Sequence, residues 1–197
     1  MATIALAGPD RIDELRPLWL ELHHHHASVS RVQPFVDDET SWTVRRRSYV
    51  ETLEHGGFAL VAQDDGLVGY AMVRIHHGPD DSWALAERYG EVWTVLVAER
   101  ARGRGIGSAL LDAVDAELAR RGIHDLVIGV MEGNDGARRL YERRGLVPGW
   151  VQLYRVGASR AQAASSAATT ATPASAADSE DAPAARPTAA GPTRKPA

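Results

Sequence analysis

Apolar residues recur along this chain at two spacings, and the switches between them mark out its elements. Ile4-Ala5-Leu6 reads as a short strand. Pro9 and Asp10 then lead into Ile12, Leu15, Leu18, Trp19 and Leu22 at helical intervals, which predicts a first helix from about Asp10 to His24. A second amphipathic segment, Ser41 to Glu54, places Trp42, Tyr49 and Leu53 on one face and ends at His55-Gly56-Gly57. Two apolar runs, 58–62 and 67–75, flank Asp64-Asp65-Gly66, a turn sequence that joins antiparallel strands.

Beyond a loop around Gly78-Pro79-Asp80, Glu91 to Val97 predicts another strand. It runs through a cluster of arginines and glycines into a helix from Ile106 to Arg121, which Gly122 caps. Leu126 to Met131 suits a buried strand, Asp135 to Arg144 a helix closed by Gly145, and Trp150 to Val156 a last strand. This order of strands, crossover helix and further strands implies one α/β domain over residues 1–156, a mixed central sheet covered by helices on both faces. From Gly157 to Ala197 the chain is Ala, Ser, Thr and Pro with scattered charges and no large apolar residue, which predicts a disordered tail.

Composition narrows the chemistry. The formal net charge is -4, with no basic block, so nothing favours a nucleic-acid or anionic-membrane partner, and any phosphate site must be local. There is no cysteine, which removes disulfides, zinc-thiolate sites and cysteine nucleophiles. Without a basic start followed by an apolar stretch, or any long apolar run, the expectation is a cytoplasmic protein.

The most informative stretch is Val95 to Leu111, where a strand meets Arg102-Gly103-Arg104-Gly105-Ile106-Gly107-Ser108 and passes straight into a helix. Glycines at 103, 105 and 107 remove Cβ atoms that would keep an anion off the backbone, and the unsatisfied N–H groups of the helix start point at it. The spacing fits neither a nucleotide P-loop nor the dinucleotide fingerprint, so the phosphate belongs to another cofactor. A phosphate site for nucleotides at the same turn is the competing reading.

Arg102-x-x-Gly105-x-Gly107 after a strand ending in valine resembles the coenzyme A signature of the GNAT superfamily of N-acetyltransferases. Asn134-Asp-Gly-Ala137-Arg-Arg-Leu140-Tyr141-Glu-Arg-Arg-Gly145 resembles that superfamily's second motif. The resemblance covers about Glu91 to Gly145 and implies acetyl-CoA as cosubstrate. Its pyrophosphate would lie on the backbone of Arg102 to Ser108, with Leu96, Val97, Asn134, Ala137 and Tyr141 along the pantetheine arm. The activity implied is acetyl transfer to a primary amine of a small molecule, peptide or protein. A catalytically silent acyl-CoA sensor is the alternative.

An alkylammonium loses its proton near pH 10.4, about three units above neutral, so acceptance of that proton costs roughly 4 to 5 kcal/mol and calls for a base. Glu91, Trp93, Val95 and Val97 alternate, which would put the Glu91 carboxylate on the face of Val97, about 20 Å along the strand. In the histone-acetylating branch of the superfamily a glutamate at this interval is the general base; a surface carboxylate is the plain alternative, and Glu87, Glu99 and Asp81 are the weaker candidates for the base. Tyr141 matches the family tyrosine that protonates the leaving thiolate, against a simple packing role. A backbone N–H near Val97 would meet the oxyanion.

Four consecutive histidines, His23 to His26, cannot all face one ion, because helix neighbours point about 100° apart. No metal is expected, and one or two of these rings would line the acceptor pocket, to which Trp42, Trp83 and Trp93 could contribute. Arg45-Arg46-Arg47 reads as a solvated face, with an acidic acceptor or the coenzyme's 3′-phosphate as alternatives. One strand follows Gly145 where the superfamily commonly has two, so either the last strand is missing or a partner subunit completes the sheet; the edge otherwise exposed favours pairing, with a homodimer as the hypothesis.

Overall fold

The computed structural model describes residues 2–78, 80 and 82–157. Its strands are β1 (Thr3–Ala7), β2 (Phe58–Gln63), β3 (Leu67–His77), β4 (Arg88–Val97) and β5 (Leu126–Ile128); its helices are α1 (Arg16–Val29), α2 (Asp38–Glu54), α3 (Ile106–Arg120) and α4 (Asp135–Arg143). The strands form one sheet in the order β1-β2-β3-β4-β5. The first four are antiparallel to their neighbours, and β4 pairs β5 in parallel through the α3 crossover. The chain is thus a mixed sheet with helices on both faces.

Local chemistry sets the element ends. The first expected helix divides in two: Pro9–Leu15 is a 3-10 turn, and the α-helix begins at Arg16, with Pro17 in its first turn where a missing N–H costs nothing. The second helix starts three residues before the expected Ser41, because Asp37 caps it by accepting from the Thr40 N–H at 2.8 Å. At the hairpin, Asp65 (φ 51°) and Gly66 (φ 100°) take up the left-handed conformations such a turn requires.

Two cores flank the sheet. On one face α3 and α4 pack Ile106, Leu110, Val114, Leu118 and Tyr141 against Val73 and Val92. On the other, α1, α2 and the 3-10 turn bring Ile12, Leu15, Trp19, Trp42 and Tyr49 against Tyr70, Met72 and Leu96. The second core carries a buried hydroxyl chain, in which Tyr49 Oη donates to Thr94 Oγ1 at 2.8 Å and lies 2.9 Å from Tyr70 Oη. Every hydroxyl in it has a partner, which makes burial affordable.

Two expectations fail. The pairing of β3 with β4 jumps from Met72↔Thr94 to Val73↔Val92, so Trp93 is an extra residue on β4, a β-bulge. The bulge breaks the alternation expected for β4. Val95 and Val97 pack in the α3 core and Trp93 in the α1/α2 core, while Glu91 pairs with Arg74, which reaches Thr52 of α2. Glu91 and Val97 therefore face opposite sides of the sheet. The strand expected at Trp150 to Val156 is also absent: this stretch is irregular, with Leu153 at 93% and Val151 at 80% exposure. The free edge open to it is β5, which is only three residues long and offers too few ladder positions to hold a strand of that length. The stretch beyond Gly157 read as a tail lies outside the described residues.

Candidate active site

β4 and β5 are hydrogen-bonded over Gly90–Val92 only, because β5 ends at Ile128. The outer edge of β4 beyond Val92 thus lacks a strand partner, and this open edge, facing the chain that leads to α4, is the candidate cleft. Ala98 N–H donates to Val68 O across to the β3 side, so Val97, half a pleat earlier, turns its N–H and C=O into the cleft. Arg102 Nε takes that carbonyl at 3.1 Å, leaving the Val97 N–H directed at whatever occupies the opening.

The glycine turn closes one end of the cleft. Gly103 (φ 75°) and Gly105 (φ 77°) adopt left-handed backbone that side chains with a Cβ resist, and Gly105 is the N-cap of α3 without any side-chain cap. The first capped donor is Ala109, whose N–H reaches Gly105 O at 3.0 Å. Among the described residues the amides of 103 to 108 donate to nothing. A run of unsatisfied N–H groups at the positive end of a helix of this length is an anion cradle.

The arginines of the turn are used as braces. Arg102 Nη2 lies 3.3 Å from Glu21 Oε1 of α1, the same carboxylate oxygen that accepts from Glu99 N–H at 2.6 Å, and Arg104 is paired with Asp64 of the hairpin. These contacts hold the loop between α1 and the β2–β3 turn, so its shape is set before any ligand arrives. Gly107 brings α3 close to the cleft wall: a Cβ there would lie 3.5 Å from Leu140 of α4 and 3.7 Å from Val97.

On α4, Asn134 is the N-cap and its side-chain oxygen accepts from Ala137 N–H at 3.3 Å. Its amide nitrogen stays available as a donor. Ala137 and Leu140 pack on the α3 core, and Tyr141 is buried in it. Burial pushes the Tyr141 phenol up to about 12, so it stays protonated throughout the neutral range and can donate. The structure therefore brings Val97, Gly107, Ala137, Leu140 and Tyr141 together on one side of the sheet.

Glu91 belongs to a different neighbourhood. Its Oε2 is 2.7 Å from His76 Nε2 and 3.8 Å from Arg74 Nη1, and the His76 ring stacks on Tyr89 at 5.1 Å. Beside it the Trp93 ring carries two guanidiniums, Arg74 at 3.2 Å and Arg45 at 4.2 Å from its centroid. Arg45 also lies 3.9 Å over Trp19. Arg45 is thus half-buried among aromatic rings, where the sequence suggested a solvated face; Arg46 is paired with Asp13 and Arg47 is exposed. The reason is the helical period, which turns one residue of three consecutive arginines inward. Trp42 is core, and Trp83 sits edge-on to Trp150 away from this group.

The histidines separate as helix geometry requires. His23 is buried against Trp19 and Phe35 with Nε2 at 2.9 Å from Val36 O, and His24 reaches Asp38 at 2.7 Å. Among the described residues no three His, Asp or Glu side chains converge as metal ligands would. No helix among them is long and apolar enough to cross a membrane.

Residues 17–146 match the family described as the Acetyltransferase (GNAT) family. The chain belongs to the GNAT acetyltransferase family. Solved members share this GNAT architecture: a GCN5-related N-acetyltransferase from Ralstonia eutropha superposes with a TM-score of 0.63 at 20% identity, covering 79% of this chain and 99% of that one. A predicted acetyltransferase from Clostridium acetobutylicum, solved with acetyl-CoA, gives 0.61 at 18% identity, covering 78% and 96%. Among curated proteins, the mycothiol acetyltransferase of Geodermatophilus obscurus is 33% identical over 111 residues, 55% of this chain but 35% of its own length. The chain spans less than half the length of the curated relatives it matches.

Proposed function

We propose that this GNAT domain transfers an acetyl group from acetyl-CoA to a primary amine by direct attack. The observation that carries the reading is the run of amides from 103 to 108 without acceptors, beside the β4 edge left open where β5 ends. A pyrophosphate supplies acceptor oxygens for such a run, and a strand edge with free peptide groups suits the amide-bearing pantetheine arm. Arg102 to Ser108 hold the pyrophosphate, with Leu96, Val97, Asn134 and Ala137 along the arm. Its acetyl-CoA cosubstrate is also the ligand named for one structural neighbour.

In this reading the amine approaches from the Glu91 side of the sheet. Glu91, through a relay of waters, accepts the ammonium proton, and the nitrogen lone pair then attacks the thioester carbon. The Val97 N–H meets the oxyanion of the tetrahedral species. Collapse breaks the C–S bond, and the buried Tyr141 phenol gives its proton to the departing thiolate. The amide and the free thiol of coenzyme A leave. The bulge at Trp93 is what lets one strand present Glu91 to one face of the sheet and Val97 to the other.

Thiol release from acetyl-CoA in the presence of a panel of primary amines tests the proposal. Amine-dependent release is the expected result. Binding of acetyl-CoA without release for any amine would favour a sensor instead.

A further inference from the structure

The group around Trp93 has more positive charge than the protein itself answers. A guanidinium stacked on aromatic rings uses its faces and leaves its in-plane N–H donors for hydrogen bonds. Arg45, 3.9 Å over Trp19 and 4.2 Å over Trp93, makes no hydrogen bond or ion pair to any described residue. Arg74, on the same Trp93 ring, has Nε 3.4 Å from Thr52 Oγ1 and Nη1 3.8 Å from Glu91 Oε2. Glu91 is shared with His76 at 2.7 Å, and Glu51, the other carboxylate near Arg74, is exposed. Burial draws Arg74 down from the usual guanidinium range, with Glu91 opposing and the Arg45 charge reinforcing the shift. Burial, together with His25, Arg45 and His23, draws the His26 imidazole down to about 4, which leaves it neutral at physiological pH.

Two guanidiniums against one half-buried carboxylate leave a single uncompensated positive charge. Partly desolvated like charges that share one indole ring are unfavourable unless an anion offsets them. A bound monoanion would accept from the free Arg45 edge within the field of Arg74, and a carboxylate matches the fork of a guanidinium with two parallel bonds. A phosphate dianion would overshoot the charge. Because Arg45 and Arg74 share one indole ring and Arg74 is 3.8 Å from Glu91, an acceptor whose ammonium lies at Glu91 and whose carboxylate reaches Arg45 must hold the two groups within one short segment.

We infer that the acceptor is an amine carrying a nearby carboxylate, an amino acid or a conjugate ending in one, and that Arg45 and Arg74 select it by its carboxylate. This rests on the acetyl-transfer reading above and specifies the substrate class of that same site.

The test is the rate of thiol release from acetyl-CoA with matched pairs: several L-amino acids and β-alanine, each against its own primary amide, and O-phosphoethanolamine against ethanolamine. The carboxylates should exceed their amides at least tenfold in kcat/KM, with the difference in KM. Arg45→Gln should collapse that ratio toward one, Arg45→Lys should recover part of it, and Arg47→Gln, at an exposed position, should keep it. Thermal melting and acetyl-CoA affinity measured on each variant separate a lost preference from a lost fold. A ratio near one in the unmodified protein, or a ratio that survives Arg45→Gln in a folded variant, would overturn the inference alone. A phosphate preference equal to or larger than the carboxylate preference would overturn the carboxylate assignment. Absence of turnover with every amine, despite acetyl-CoA binding, would overturn both this inference and the acetyl-transfer proposal.

Discussion

The glycine turn and the group around Trp93, on opposite sides of the sheet, are built by different means. The glycine turn from Arg102 to Ser108 works through backbone: left-handed φ angles at Gly103 and Gly105 and a helix start with no side-chain cap create its binding potential. The group around Trp93 works through side chains that converge from α1, α2, β3 and β4, namely Trp19, Arg45, Arg74 and Glu91. The first can be inherited unchanged while the second is rewritten residue by residue. Such a division lets one domain keep a cosubstrate and vary an acceptor.

The sharpest way to break the comparison is at Gly105. Valine there meets no neighbour, since nothing lies within 4 Å of its Cβ, but it resists the φ of 77° and should redirect the amides that follow. Loss of two bonds to a charged oxygen, at about 1.5 to 3 kcal/mol each, predicts a fall in acetyl-CoA affinity of at least roughly 100-fold, read by calorimetry. In the other group, Glu91→Gln should lower turnover about 100-fold at neutral pH and less at high pH, where the amine loses its proton unaided, while acetyl-CoA affinity holds. A pH–rate profile parallel to that of the unmodified protein would remove Glu91 as the base. Tyr141→Phe should lower turnover more than tenfold, about 1.4 kcal/mol in barrier, with little change in acetyl-CoA affinity. Equal turnover would return Tyr141 to a packing role.

The smallest effect expected lies outside both regions. The Glu117 carboxyl is held down to about 2, first by its hydrogen bond with Arg120 and also by Arg121, so its folded value lies below the usual 4.5. The stability it contributes is present above about pH 4.5 and lost as pH falls toward 2, through the folded value. Glu117→Gln should therefore flatten the acid side of a melting-temperature profile and change it least in the acid limit. A profile as steep as that of the unmodified protein would assign the acid loss to other carboxylates.

Legibility in the sequence follows the same division as the site. The hairpin at Asp64 to Gly66, the glycine turn and the helix capped by Asn134 are local events, each decided by residues within a few positions of one another. They can be read along the chain. The bulge at Trp93 cannot, because it depends on the register β4 adopts against β3, and strict alternation put Glu91 on the wrong face. Arg45 was hidden in a run of three arginines whose inward member only α1 and β4 identify. Trp150 to Val156 has strand-forming residues, yet β5 offers a partner edge of only three residues, and propensity does not replace a ladder.

The central claim is that the amides of residues 103 to 108 grip the pyrophosphate of coenzyme A. Nitrogen–proton correlation spectra of the labelled protein, recorded during a titration with acetyl-CoA, observe those amides one by one. Saturable shifts that are largest from Gly103 to Ser108, and that shrink when a pantetheine thioester lacking the pyrophosphate replaces acetyl-CoA, are the predicted result. Saturation of the protein with acetyl-CoA while these resonances stay in place would contradict it.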